Sequence, residues 1–114
     1  QGVSSAASDV YKRQDQFNSE DVLLGALAKG AIGDAFVQMD QPEKALDYYI
    51  AAFNINNNVY STQKFLYKAA MISSKLGKNK QALAYLERIK KEFKESREAN
   101  MVSVQIAKIK SIID

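Results

Sequence analysis

The sequence predicts an all-α protein of about five helices arranged as antiparallel pairs, and three observations lead to that prediction. Alanine, lysine, leucine and isoleucine dominate a chain of 114 residues with five glycines and one proline, a balance that favours helices over strands. Apolar residues recur at helical spacing along five stretches. Short polar or glycine-containing breaks separate the stretches, so neighbouring helices should run antiparallel.

The first two helices are separated by a proline. The first is predicted over residues 21–39, with Asn18 or Ser19 as its N-cap. Pro42 suits the first position of the second helix, because that position needs no N–H donor and the fixed φ of proline is already helical. The polar run 54–58 should end the second helix, since asparagine side chains compete for backbone hydrogen bonds.

The last three helices have equally local signals. The third is predicted over residues 62–76 and should stop at Gly77, which can adopt the left-handed conformation of a C-terminal cap. The fourth begins near Asn79, and the fifth follows Ser96 as its cap. In the fifth helix Lys108 and Lys110 face water, opposite one apolar stripe composed of Val102, Ile106, Ile109 and Ile113.

The composition excludes several kinds of chemistry. Without cysteine, histidine or tryptophan, the chain cannot form a zinc site of nitrogen and sulfur ligands, a disulfide, a thiol nucleophile or an imidazole base. Carboxylate and tyrosine pairs remain, such as Asp34 with Tyr67 or Asp47 with Tyr48, but no spacing selects one. The doublet of Tyr48 and Tyr49 is better interpreted as inter-helix packing with a hydroxyl reaching water. We predict no enzyme, no cofactor and no metal.

The first 14 residues have no helical periodicity. Residues 9–14, DVYKRQ, look like a translated adapter from sequencing-library preparation, so this stretch is predicted to be non-native and the natural protein to continue upstream. A natural disordered tail would be treated in the same way. The predicted organisation is a tail over 1–18 and one helical domain over 19–114.

Charge divides the chain into two halves of opposite sign. Residues 15–62 hold seven acids and two lysines, a net charge of −5, whereas residues 63–114 hold twelve basic residues and five acids, a net charge of +7. The halves should present fields of opposite sign. Self-association into a homo-oligomer is therefore one open interpretation.

Nucleic-acid binding is a further interpretation of the basic half, with its nearby aromatic residues. The aromatic residues fall largely on apolar stripes, however. The lysines at 90, 91 and 94 alternate with the glutamates at 87, 92 and 95, as on a solvated helix face. We predict no nucleic-acid partner. No run of about 18 apolar residues exists, so we also predict no membrane contact by this chain.

An internal repeat relates the first helix pair to the second. Within each pair a small residue of the first helix precedes an alanine of the second by twelve, Gly33 before Ala45 and Ala70 before Ala82. Small residues at these positions let two antiparallel helices approach closely where they cross. The offset between the pairs is 37 residues throughout, relating 32–33 to 69–70, 45–46 to 82–83 and 48–49 to 85–86.

In the first unit the pair Ile32-Gly33 is followed by Phe36, three residues after the glycine, and Ala45 is followed after four residues by Tyr49. This pattern resembles the tetratricopeptide repeat, which has a Leu-Gly pair, an aromatic three residues later, and an alanine followed after four residues by another aromatic. The second unit departs from the pattern at Ala70, Ser73 and Leu86. The resemblance implies a right-handed α-solenoid with repeats over about 20–56 and 62–94 and a capping helix over about 96–113.

The resemblance also implies a non-enzymatic scaffold that binds a protein or peptide on its concave surface, which the first helix of each unit lines. Gly30, Val37 and Ser74 share the register of this surface. The alternative is that these positions form only a solvated face and pack against a missing upstream helix. The concave-face residues predicted from the register are Leu27, Asp34, Gln38, Lys64, Tyr67, Lys68, Met71 and Lys75.

Two finer resemblances bear on partner and compartment. Some family members hold a partner's C-terminal carboxylate with a lysine, asparagine and arginine clamp, which Lys64 and Lys68 fit but Gly30 and Asp34 do not. A carboxylate at Asp34 would repel an anionic terminus. The segments 30–36, 45–52 and 96–113 are similar to segments of bacterial proteins in which such repeats follow an N-terminal membrane-anchoring helix and face the cell envelope. Two locations therefore stay open for the protein: it faces the cell envelope behind an upstream anchor, or it is cytoplasmic.

Overall fold

The computed structural model describes residues 21–55 and 61–113, and within these ranges the chain forms five helices and no strand. The all-α prediction is thereby confirmed. The predicted tail over residues 1–18 and the predicted caps Asn18 and Ser19 lie outside the described residues. The helices are α1, which includes residues 21–38, α2 Pro42–Ile55, α3 Thr62–Lys75, α4 Asn79–Glu92 and α5 Arg97–Ile113.

The helices form two layers. Each helix from α2 onward packs on the next one in sequence, and α3 also packs on α5. The α1 helix reaches α3 as well, because Gly30 lies against the ring of Phe65. Phe53 of α2 and Tyr85 of α4 meet edge to face, with 5.3 Å between their ring centroids. We call α1, α3 and α5 the odd layer, and α2 and α4 the even layer.

The predicted proline break lies between α1 and α2. The chain turns at Asp40, whose φ of 58° is left-handed. Aspartate enters this region at a lower cost than most residues. The backbone N–H of Gln41 donates to the carbonyl of Phe36 at 2.8 Å, which closes the end of α1. Pro42 then begins α2, as its missing donor predicts.

The two later breaks are also those that the sequence predicts. Gly77 has a φ of +80°, and the backbone N–H of Lys78 donates to the carbonyl of Ser73 at 2.8 Å, a closed helix end. At the start of α5, the Ser96 hydroxyl accepts a hydrogen bond from the backbone N–H of Ala99 at 3.1 Å. Ser96 is therefore the N-cap of α5.

The core is continuous from α1 to α5. Alanines occupy the close approaches, since Ala45, Ala52, Ala70 and Ala82 are all fully buried. Larger side chains fill the space between the layers, because an interior packed at crystal-like density leaves few voids. The largest fully buried apolar side chains among the described residues are Phe65, Leu66, Leu86, Ile89 and Val102.

Gly33 shows how α1 approaches α2. A Cβ atom on Gly33 would lie 2.7 Å from Cε1 of Tyr49, so only glycine fits there without displacing the ring. The sequence pairs Gly33 with Ala45, whereas the side chain that Gly33 accommodates is Tyr49, one helical turn after Ala45. The small residue thus makes room for an aromatic ring.

Within the described ranges, no helix combines the length and hydropathy that a bilayer span requires.

Candidate functional site

The predicted concave-face residues of α3 lie along its one exposed side. The other sides of α3 are covered by helices of both layers. Lys64 and Lys75 are exposed, and the three predicted residues between them, Tyr67, Lys68 and Met71, are half-buried. Counted from Lys64, the other four follow after three, four, seven and eleven positions, which places all five in one stripe on a helix. The stripe consists of Lys64, Tyr67, Lys68, Met71 and Lys75.

The predicted residues of α1 lie beside this stripe. Leu27 and Gln38 are exposed and Asp34 is half-buried, at a spacing that keeps all three on one side of α1. We call these three residues and the five residues of the α3 stripe the odd-layer face. Gly30 shares the register but is buried, because a Cβ there would lie 2.1 Å from Cε1 of Phe65. Gly30 is therefore a packing position and not part of the face.

A cluster of three side chains joins the two halves of the odd-layer face. The ammonium of Lys68 on α3 donates to Oδ1 of Asp34 on α1 at 2.8 Å. The hydroxyl of Tyr49 on α2 donates to the same oxygen. The Lys68 ammonium also lies 5.7 Å from the centroid of the Tyr49 ring, within reach of a cation–π interaction. One carboxylate thus links three helices.

The cluster fixes the charge state of two of its members. Burial alone would raise the pKa of Asp34, but hydrogen bonds from Lys68 and Tyr49 and the charges of Lys68 and Lys64 outweigh it and lower that pKa. Burial raises the pKa of Tyr49, and the hydrogen bond and negative charge of Asp34 raise it further. At neutral pH Asp34 is a carboxylate and Tyr49 a neutral donor. This arrangement positions Lys68.

Asp34→Asn should therefore lower stability only where Asp34 is ionised. The pKa of Asp34 in the folded protein lies below the ordinary value of an aspartate carboxyl, so its contribution to stability is present above that ordinary pKa and is lost as pH falls through the lowered pKa. At pH 7 we expect a loss of about 0.5–1 kcal/mol in the free energy of unfolding, because the ion pair is partly exposed. Urea unfolding at pH 7 and at pH 3 measures the difference.

The matched control is Asp47→Asn, at an exposed position of α2. It should change the free energy of unfolding by no more than a few tenths of a kcal/mol, as surface substitutions usually do. An Asp34→Asn loss of equal size at both pH values would show that the ion pair does not stabilise the fold.

Tyr49 is the one member of the cluster that the sequence analysis did not predict as part of this surface. Tyr48 packs as expected, with its ring stacked 5.5 Å from that of Phe36. The hydroxyl of Tyr49 donates to Asp34, a pairing that differs from both candidate pairs of the sequence analysis, Asp34 with Tyr67 and Asp47 with Tyr48. The sequence holds only a partial signal, since Asp34 follows Gly33 by one residue and Tyr49 follows Ala45 by one turn, but this spacing does not fix how the helices are rotated against each other.

The odd-layer face is basic at its ends and apolar between them. It carries three lysines and one carboxylate, and the carboxylate is paired with Lys68. The charges left at the two ends of the α3 stripe are those of Lys64 and Lys75. Tyr67 and Met71, which pack against the core, lie between them. The chemistry of this surface favours an extended segment with apolar and acidic groups.

A surface depression of about 540 Å³ lies elsewhere, at the turn between α4 and α5. None of the eight predicted residues lines it. Its walls carry lysine and glutamate in alternation, as a solvated surface does, and the lining residues are Gln63, Lys91, Glu92, Phe93, Lys94, Glu95 and Ser96. The odd-layer face remains the better candidate, because its residues converge from two helices.

Comparison with known proteins supports the repeat. A family model described as tetratricopeptide repeat matches residues 26–59 and again residues 63–95, together more than half of the chain. The two matches begin 37 residues apart, the same offset that relates the helix pairs in the sequence. No curated protein and no solved structure matches the chain.

Proposed function

The chain belongs to the tetratricopeptide repeat family, and from that premise we propose that it is a non-enzymatic scaffold that binds a protein segment on the odd-layer face. Repeat proteins of this kind use extended concave surfaces for binding. The observation that carries the proposal is the exposed stripe of α3, where two lysines flank an aromatic and a methionine side chain.

The stripe sets a length for the bound segment. Lys64 and Lys75 are eleven residues apart on one helix, which corresponds to about 16 Å along its axis. An extended peptide covers that distance in about five residues. We therefore propose a segment with acidic groups about five residues apart and an apolar side chain between them. The apolar side chain would contact Tyr67 and Met71, which are half-buried and need little further ordering.

The cluster at Asp34 gives this face its selectivity. Because Asp34 holds Lys68 at 2.8 Å, the charge in the middle of the stripe is compensated before any ligand arrives. An acidic group would meet an uncompensated lysine only at the ends of the stripe. A basic segment would gain Asp34 only by displacing Lys68, and it would meet like charge at Lys64 and Lys75.

A peptide library displayed on phage and selected on the whole chain tests the proposal. The selected peptides should carry the spaced acidic groups. Lys64→Glu and Lys75→Glu should each weaken their binding by about tenfold, which is about 1.4 kcal/mol. Fluorescence anisotropy with one labelled peptide measures the affinities. Binding should also weaken as salt is raised, since exposed charges are screened.

Lys90→Glu is the matched control, because Lys90 is also exposed but lies on α4 in the even layer. It makes the same charge change to the whole protein and should leave the affinity within about twofold of wild type. If the peptides bind Lys64→Glu and Lys75→Glu as tightly as wild type, the odd-layer face is not their binding site. An equal loss of affinity with Lys90→Glu would show that the effect comes from the net charge of the protein and not from the odd-layer face.

A further inference from the structure

The large apolar side chains that are exposed among the described residues are confined to the two ends of the helix stack. Residues 24–39, which belong to α1 and the turn after it, hold five of them, and α5 holds the other four. The middle helices α2, α3 and α4 contribute none within the described ranges. A scattered distribution would need no explanation, but concentration at two ends indicates surfaces that bind something.

The first of these surfaces is a stripe on α1 with no polar residue. A helix that is apolar on both sides is normally covered on both. The buried side of α1 carries Ala26, Gly30 and Gly33. The opposite side is what we call the α1 stripe, and all its residues are exposed: Leu24, Ala28, Ala31, Ile32 and Ala35. Three of these five residues are alanines, which makes this surface shallow.

The second surface lies on α5, away from the buried Val102, Ile106 and Ile109. We call it the α5 stripe, and helical periodicity brings its four exposed residues together. Val104 is 58% exposed and Ile112 is 63% exposed, values unusual for β-branched aliphatic side chains in a folded domain. The α5 stripe consists of Met101, Val104, Lys108 and Ile112.

The two stripes complement each other in shape. Large side chains on one helix pack into the shallow surface that small residues leave on another. The odd layer already contains such a contact, because the ring of Phe65 on α3 lies against Gly30 of α1. A contact between the α5 stripe of one copy and the α1 stripe of the next would continue the odd layer across two molecules.

The charges favour the same pairing. The half of the chain that contains α1 has a net charge of −5, and the half that contains α5 has a net charge of +7. Asp21 and Asp40 are exposed near the two ends of α1, and Lys108 lies within the α5 stripe. Two α1 stripes brought together would place two acidic halves side by side, and two α5 stripes would place two basic halves side by side. Like charges would disfavour both of these pairings.

From this complementarity we propose that the chain associates head to tail with a second copy of itself, the α1 stripe of one molecule docking on the α5 stripe of the other. Such a contact joins different surfaces, so each added molecule again leaves one stripe of each kind exposed, and the assembly stays open unless it closes into a ring. The contact uses none of the eight residues of the odd-layer face. It therefore adds an assembly to the proposed binding function and does not depend on it.

Sedimentation velocity of the whole chain at low salt tests the association. The average mass should rise with concentration beyond that of a dimer. Ala31→Glu and Val104→Glu place a carboxylate in the α1 stripe and the α5 stripe, respectively, where burial would desolvate it. Each should weaken self-association by about tenfold or more. Ala84→Glu, at an exposed position of α4, is the matched control and should associate like wild type.

Mixing the two variants tests the direction of the contact. Ala31→Glu keeps an intact α5 stripe and Val104→Glu an intact α1 stripe, so an equimolar mixture should form a dimer of one molecule of each and stop there. A wild-type chain that stays monomeric at millimolar concentration and low salt would overturn the proposal. So would either variant that associates as strongly as wild type, because that result indicates contacts between like stripes. Circular dichroism checks that each variant keeps the wild-type helix content.

Discussion

Phe65→Ala is expected to lower the free energy of unfolding by about 3–5 kcal/mol, the range for truncating a buried phenylalanine. Phe65 is only 2% exposed. Its ring lies against the backbone of α1 at Gly30 and stacks on Tyr49 of α2 with 6.3 Å between the centroids. Truncation therefore opens a cavity where three helices meet, and their backbones cannot easily close it. Urea unfolding with linear extrapolation measures the loss.

Tyr67→Ala is the matched control, since it removes an aromatic ring two residues away on the same helix. Tyr67 is half-buried on the odd-layer face, so it should lose less than half as much stability as Phe65→Ala. Phe65→Leu keeps most of the apolar volume and should fall between the two, which keeps the comparison possible if Phe65→Ala does not fold. Equal losses for Phe65→Ala and Tyr67→Ala would contradict the burial of the Phe65 ring between α1, α2 and α3.

The helix boundaries were predictable because local chemistry sets them. Pro42 starts α2 through its own covalent geometry, and Gly77 ends α3 through a φ of +80° that other residues rarely adopt. Ser96 caps α5 with a bond to a backbone N–H three residues away. None of these three signals depends on the rest of the fold. Each could be found by looking at a handful of neighbouring residues.

The position of the odd-layer face was predictable for a related reason. Periodicity identifies which side of a helix is buried, so the exposed side of α3 follows by elimination once its apolar residues are found. The assignment of Gly30 to that face was wrong, because the register alone does not show how closely a neighbouring ring approaches. The 2.1 Å between a Cβ at Gly30 and Phe65 depends on the rotation of α1 against α3.

The bond between Tyr49 and Asp34 was missed for the same physical reason. It joins residues fifteen positions apart on different helices, and Lys68 reaches the same oxygen from thirty-four positions away. The rotations of three helices have to be known together before these atoms can be placed. The cluster also changes the interpretation of Asp34, since a carboxylate expected to repel anionic ligands has its charge offset by Lys68.

The glycines of α1 lead to a prediction in which the same substitution has opposite effects at two positions of one helix. Gly30→Ala should lower the free energy of unfolding by about 1–2 kcal/mol. Alanine gains about 1 kcal/mol over glycine in helix propensity, but the new Cβ would lie 2.1 Å from Cε1 of the buried Phe65 ring. Forcing an extra carbon into a packed core costs about 1–3 kcal/mol, and occasionally more. At this distance we expect the clash to exceed the gain.

Gly25→Ala provides the control in the same helix. A Cβ at Gly25 would lie 3.8 Å from Cδ1 of Ile55, an ordinary van der Waals contact, so the propensity gain is not opposed. We expect this variant to be more stable than wild type by about 0.4–1 kcal/mol. The two variants should thus differ by about 2 kcal/mol under identical conditions. Stabilisation by both substitutions would show that α1 does not lie against Phe65, and the contact between α1 and α3 would then have to be withdrawn.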